Sequence, residues 1–185
     1  RWEEIWDAAL RIRNLFVRTP IPTTIQDALR DPLALRFPDG PVSVRSSAPG
    51  EDSSKTSFAG LHESFVNIRG VESILEHIRL VWASLWSDRA ILYRQELKLD
   101  VARSAMAVVV QEMVLGERSG VVFGMSPVRK DQSVVEAVYG LNQGLVDGTV
   151  EPDRWILDRA NGQILSHHPP RREKVLVPGP QGVHL

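Results

Sequence analysis

The 185 residues are 43% hydrophobic and 24% charged, with 22 basic against 23 acidic side chains, a formal net charge of -1 and no cysteine. That mixture suits one globular domain, or two small ones, with a real core, and excludes disorder for most of the chain. Balanced charge and a pI of about 6.6 argue against a dedicated nucleic-acid or anionic-membrane surface; without cysteine there is no disulfide framework, thiolate metal site or redox thiol.

The longest apolar run, Ala105 to Val110, is six residues, against roughly 18 for a bilayer crossing. No secretory leader is recognisable, and the cytoplasm is the expected compartment. Both ends, Arg1 and the Pro/Gly-rich stretch before Leu185, are expected to be cuts inside a longer protein.

From Trp2 to Val17, apolar residues at spacings of three and four predict an amphipathic helix ending before Pro20 and Pro22. A short helix follows over Thr24 to Arg30, capped by Thr23 or Thr24 and closed by Asp31-Pro32, with 31–41 as loop. Pro41 to Ser47 reads as a strand with Val42 and Val44 on one face, Ser43 and Arg45 on the other. Ser64 to Ile68 reads as its partner, Phe65 and Asn67 alternating against Val66 and Ile68.

Val71 through Trp86 carries a helical stripe, and Ser87 caps a further helix over Asp88 to Leu97. Strands are predicted over 105–114, 120–125, 134–139, 154–157 and 163–166. Helices and a hairpin first and strands second argue α+β, with two sub-lobes meeting near 98–104. The expected divisions are 1–40, a helical segment of the first lobe; 41–100, the hairpin with its loop and helices; and 101–185, a strand-rich second lobe.

Three segments are candidates for chemistry. Arg45, at the end of a buried strand, offers a fixed fork of donors suited to phosphate oxygens. Ser46 and Ser47, with Ser53, Ser54, Thr56 and Ser57, add hydroxyls, while Gly50 and Gly60 let backbone N–H groups approach an anion. The same composition suits a solvated hairpin loop. In Val108 to Val114 the apolar start is expected to be buried and Gln111-Glu112 to face a cleft or solvent. Its backbone could read an adenine edge with Met113 packing on the ring, or be ordinary sheet. Thirdly, Gly140, Gly144 and Gly148 follow a strand and imply an irregular backbone.

The blocks Val44-Arg-Ser-Ser-Ala48, Glu51-Asp52, Ser57-Phe-Ala-Gly60 and Ser64-Phe-Val-Asn67 resemble the nucleotide-binding domain of the phosphoenolpyruvate synthase and pyruvate phosphate dikinase family. Trp82 to Ala90 with Tyr93-Arg94, Val109-Val-Gln111 with Met113-Val114, Ser119 to Phe123 with Ser126-Pro127, and Gly140 through Pro152-Asp153 continue the series in the same order. The resemblance covers residues 41 to about 175, and its motifs are most similar to those of the pyruvate, water dikinases.

The resemblance implies an ATP-grasp-like α+β fold of two lobes, here incomplete at both ends, with ATP and Mg²⁺ as cofactors. ATP would phosphorylate a histidine on a separate domain, which passes the phosphoryl group to pyruvate on a third. Those domains are the implied partners, with no nucleic acid or membrane and with room for a homodimer. By motif, Arg45, Ser46, Ser47, Gly60 and Ser64 would bind phosphates, and Gln111, Glu112, Met113 and Val114 would bind adenine. Ser64 stands where threonine is common, preserving a hydroxyl. Asn142-Gln143 replaces a frequent Gly-Glu.

The family's glycine-rich lysine segment, its acidic strand with metal ligands, its phosphate-binding arginine downstream and its phosphocarrier histidine motif do not occur in 1–185. Metal ligands are therefore expected beyond the chain, and the isolated chain is expected to be nearly inactive. Related readings are a pyruvate phosphate dikinase, a glucan water dikinase or a rifampin phosphotransferase; a different class is a regulatory module that binds nucleotide without chemistry. Of the five histidines, His167 and His168 should point to opposite faces of a strand, and Arg171, Arg172 and Lys174 should form a solvated basic edge.

Overall fold

A computed structural model describes residues 2–49, 60–180 and 182–185. The loop residues Gly50, Glu51, Asp52, Ser53, Ser54, Thr56 and Ser57 lie outside the described residues. The chain divides into two compact units, Arg1–Met113 and Val114–Leu185. Both mix helix with antiparallel sheet, as expected for α+β.

In the first unit, helices α1 (Trp2–Arg18), α2 (Thr23–Arg36), α3 (Val71–Ser84) and α4 (Asp88–Glu96) accompany strands β1 (Val42–Ser47), β2 (Ser64–Ile68) and β3 (Ala107–Glu112). The sheet order is β2-β1-β3, antiparallel throughout. Its core joins Val42 and Val44, both 0% exposed, to Ile74, Leu75, Ile78 and Val81 of α3, with Ile21, Leu33 and Ile68 closing the edges. Helix α1 packs against α3 and α4, with the Phe16 ring stacked 6.3 Å from Trp86 and Arg13 donating to Glu63 at 2.7 Å. Ser84, buried, donates to the Val81 carbonyl at 2.7 Å and accepts from the Glu63 N–H at 3.1 Å, tying the approach to β2 onto the end of α3.

Three expectations change. Helix α2 runs through Asp31-Pro32 to Arg36 instead of stopping at Arg30, so 31–36 is not loop. Proline removes one amide and crowds the preceding turn, but Leu29 and Leu33 pack into the core on either side of it, and tertiary burial overrides the local penalty. Its N-cap is Pro22, whose carbonyl accepts from Ile25 and Gln26, rather than a threonine. Strand β3 pairs with β1 along its whole length, so the first unit extends to Met113, beyond the expected division at 100/101.

The β1/β2 register is bulged. Val42 opposes Ile68 but Val44 opposes Phe65, so two steps on β1 match three on β2. Asn67, with φ 59°, sits in the extra position, in a left-handed conformation that asparagine tolerates better than most residues. Phe65 and Ile68 therefore both pack on the core, contrary to their expected alternation. Ser87 caps α4 as expected, accepting from the Ala90 N–H at 3.2 Å.

The second unit is a four-stranded meander, β4 (Arg118–Phe123), β5 (Gln132–Tyr139), β6 (Asp153–Asp158) and β7 (Ile164–His168), in that order. A one-turn helix α5 (Gln143–Val146) lies between β5 and β6, and β8 (Val177–Pro178) pairs with β9 (Val183–His184). Gly140 forms a parallel bridge to Leu176, and the Leu141 N–H donates to the Leu176 carbonyl at 2.8 Å. With Val138, Leu141, Val150 and Leu176 this builds the unit's small core.

Two substitutions test this scaffold. Asn67→Val forces a β-branched residue into positive φ, and should destabilise the first unit by about 1–3 kcal/mol in denaturant titration. Gly140→Ala places a methyl 2.2 Å from the Leu176 carbonyl at a φ of +75°. It should destabilise the second unit by more than about 1 kcal/mol, and a neutral result in the same assay contradicts the Gly140–Leu176 approach.

Candidate functional site

Strand periodicity sends Val42 and Val44 into the core and leaves Ser43, Arg45 and Ser47 for the opposite face. Register supplies the rest of that face. Arg45 opposes Ser64 on β2 and Val109 on β3; Ser43 opposes Gln111, and Ser47 opposes Ala107. Directly opposed residues share a face with their Cβ atoms about 5 Å apart, so the sheet brings Arg45, Ser47, Ser64 and Gln111 together. All four are exposed.

Other sequence candidates fall elsewhere. Ser46 opposes Val108 and turns with it to the core side, half-buried. Glu112, opposite Val42, is exposed at the strand end but on the face away from Gln111. The Met113 N–H donates to the Pro41 carbonyl at 2.9 Å, so this amide continues the sheet pairing. Val114, 85% exposed, is the first residue of the second unit. Gly60 has φ +73° with open space where a Cβ would lie; its conformation, not crowding, calls for glycine. In β3 the apolar start is not uniformly buried: Val108 and Val110 pack on the core whereas Val109 is 42% exposed.

The glycines of the third segment are explained by packing within the chain. Gly140 meets Leu176, and a Cβ on Gly144 would lie 2.6 Å from Val150. A polar cavity of about 540 Å³ in the second unit is lined by Glu136, Thr149, Arg154, Arg171, Arg172 and Lys174 among others. Two of its cations are already engaged: Arg154 donates to Glu136 at 2.6 Å, and Arg172 grips Asp153 with contacts of 3.0 Å to both oxygens.

The Asp153 cluster was not visible as a site in the sequence. Its buried carboxylate also accepts from His167 Nε2 at 2.8 Å, and the His167 ring stacks on Trp155, 4.6 Å away and within 2° of parallel. Arg172 is thus a buried-carboxylate partner, not part of a purely solvated edge; its φ of 56° marks the turn that brings it back. The signal available was Pro152-Asp153 at a strand start with His167 on the next strand. Arg94 likewise stands out in the sequence only as part of a motif, yet it is 4% exposed and donates to the Leu85 and Ala90 carbonyls at 2.7 and 3.2 Å. Burial pushes its pKa down.

Burial alone would raise the Asp153 carboxyl, but hydrogen bonds from His167 and Arg172, aided by the positive charge of each, outweigh it and hold Asp153 below the ordinary carboxylate value. Its stabilisation is fully present above the unfolded pKa of about 3.9 and is lost as pH falls through the lower folded value. Asp153→Asn should therefore lower the melting temperature at neutral pH and flatten the acid limb below about pH 4. An acid limb unchanged by the substitution contradicts the linkage.

Among the described residues no group of three or more His, Asp or Glu side chains is arranged to hold a metal ion, and no helix is long and apolar enough to cross a membrane. A family model described as pyruvate phosphate dikinase, AMP/ATP-binding domain, matches residues 1–184. The chain is 41% identical to a phosphoenolpyruvate synthase of Aeropyrum pernix over 97% of its own length and 23% of the relative's. It is 38% identical to a probable phosphoenolpyruvate synthase of Methanothermobacter thermautotrophicus over 88% and 25%. To a rifampicin phosphotransferase of a Streptomyces species the identity is 37%, over 89% and 19%. The chain thus spans a quarter or less of the length of these relatives.

Proposed function

Since the chain belongs to the AMP/ATP-binding domain family of the pyruvate phosphate dikinases, we propose that the β2-β1-β3 face is its phosphate-holding surface. The chain then serves as the ATP-binding part of a phosphoenolpyruvate synthase-like enzyme. The observation that carries this reading is the placement of Arg45 directly opposite Ser64 on an exposed sheet face, with Gln111 one row along. A guanidinium donates a rigid fork to phosphate oxygens, and a neighbouring hydroxyl adds a neutral donor. Gln111 offers both a donor and an acceptor for a base edge.

The reading carries an ATP-grasp-like fold with it, the two units being its lobes. Phosphoryl transfer asks the protein mainly for positioning and charge neutralisation. Arg45 orients the phosphate chain and offsets its charge; Ser47 and Ser64 orient it further, and the left-handed turn at Gly60 opens the backbone beside β2. The donor set fits ATP's phosphates; Mg²⁺ would ask for one or two carboxylates beside them, and Glu112 faces away from Arg45, while among the described residues no group of three or more His, Asp or Glu side chains is placed to hold a metal ion.

In this reading the phosphoryl group passes to a histidine on another domain and then to pyruvate. The likeness to rifampicin phosphotransferase favours a second version in which the same ATP half-reaction serves a different acceptor. Assaying the full-length protein carrying this chain with pyruvate and with rifampicin separates the two.

Arg45→Ala in that protein should weaken ATP binding about 10- to 100-fold, the worth of a hydrogen bond to a charged group, and lower ATP-dependent turnover with either acceptor. Unchanged affinity in calorimetry overturns the role of this face.

A further inference from the structure

On the reading that this face holds ATP, the register identifies a residue that no motif singled out for its side chain. Strands β1 and β3 contribute Ser43, Arg45, Ser47, Ala107, Val109 and Gln111 to it. Five of these are polar or small. Val109 alone is a large apolar group, standing 42% exposed while Val108 and Val110 on either side turn to the core. A single exposed valine ordinarily needs no explanation; its place here is what matters. It lies directly opposite Arg45 and two residues, about 7 Å, from Gln111 on the same strand.

The two halves of a nucleotide make different demands. Phosphates need charge and donors, which the Arg45–Ser64 row supplies. The base and sugar need an apolar surface to rest on and a few polar groups at the edge. Val109 presents two methyl groups from a β-branched side chain with little rotameric freedom, between the cation and the amide of Gln111. Small neighbours at Ser43 and Ala107 leave those methyls accessible. We propose that Val109 is the apolar floor under the nucleoside half of ATP, and hence a determinant of how strongly this site prefers a nucleotide to a bare polyphosphate.

The test compares ATP with inorganic triphosphate by calorimetry on the full-length protein carrying this chain. Val109→Thr keeps the shape, the branching and the strand preference while replacing one methyl with a hydroxyl. It should weaken ATP binding about 4- to 10-fold, the scale of a lost apolar contact, and leave triphosphate affinity unchanged. Arg45→Ala should weaken both ligands. The readout is the ratio of the two affinities on the same sample, which a smaller folded fraction does not move. Should the threonine variant fold poorly, Val109→Ala, read by the same ratio, decides the matter.

An unchanged ratio in a Val109 variant, with Arg45→Ala still weakening both ligands, overturns the floor and leaves the phosphate reading standing. Equal weakening of both ligands by the Val109 variant also overturns it, by showing a general structural effect. If neither Arg45→Ala nor the Val109 variant weakens either ligand, the assignment of ATP to this face fails first and the floor with it.

Discussion

Burying Val42 and Val44 completely beneath α3 obliges Ser43 and Arg45 to stand on the other face of the sheet, because successive side chains of a strand point to opposite sides. The cation's place is thus set by its hydrophobic neighbours; among the described residues no ion pair holds it. A one-residue slip of β1 would turn Arg45 inward and bring both valines out, exchanging two wholly buried aliphatic groups for an unpaired buried charge. Few errors of register are as costly. The exposed chemistry therefore inherits the rigidity of the core.

The bulge in β2 refines that arrangement. With Ile68 opposite Val42, an unbroken ladder would put Asn67 opposite Ser43, Val66 opposite Val44 and Phe65 opposite Arg45. The extra residue moves Phe65 to Val44 and Ser64 to Arg45. One left-handed asparagine returns an aromatic ring to the core and sets a hydroxyl beside the guanidinium. Bulges recur beside functional sites because they re-aim side chains in this way. Asn67 belongs to the scaffold, but the polarity of the face depends on it.

In the second unit the constraint is a latch. Arg172 returns through a left-handed turn to the buried Asp153 at the start of β6, while Leu176 bridges to Gly140 and Leu141. A carboxylate buried without partners would be driven towards its neutral form; Arg172 and His167 keep it ionised, and it in turn holds the 170–176 segment. Cations that looked like a solvated edge in the sequence thus include one with a structural task. Composition reports charge, whereas only the path of the chain reports where the opposite charge lies.

The same distinction separates what was legible in the residues from what was not. Period-two alternation within β1, the stripe of α3 and the Ser87 cap are local, so the sequence displays them directly. Arg45 and Ser64 could be named from motif, and Gln111 from polarity after an apolar run. Their convergence on one face depends on two strand registers and a bulge, which arise from pairings up to about 70 residues apart in the chain. Local rules also misjudge a helix through Pro32, because the burial of Leu33 is a tertiary fact. They likewise cut the first unit short of β3, whose partner β1 lies on the far side of two helices. Val109 is the sharpest instance. Within a triple valine run its exposure cannot be read from composition; it follows once β3 is known to pair with β1, since Arg45 must face outward and the residue opposite it must face outward too.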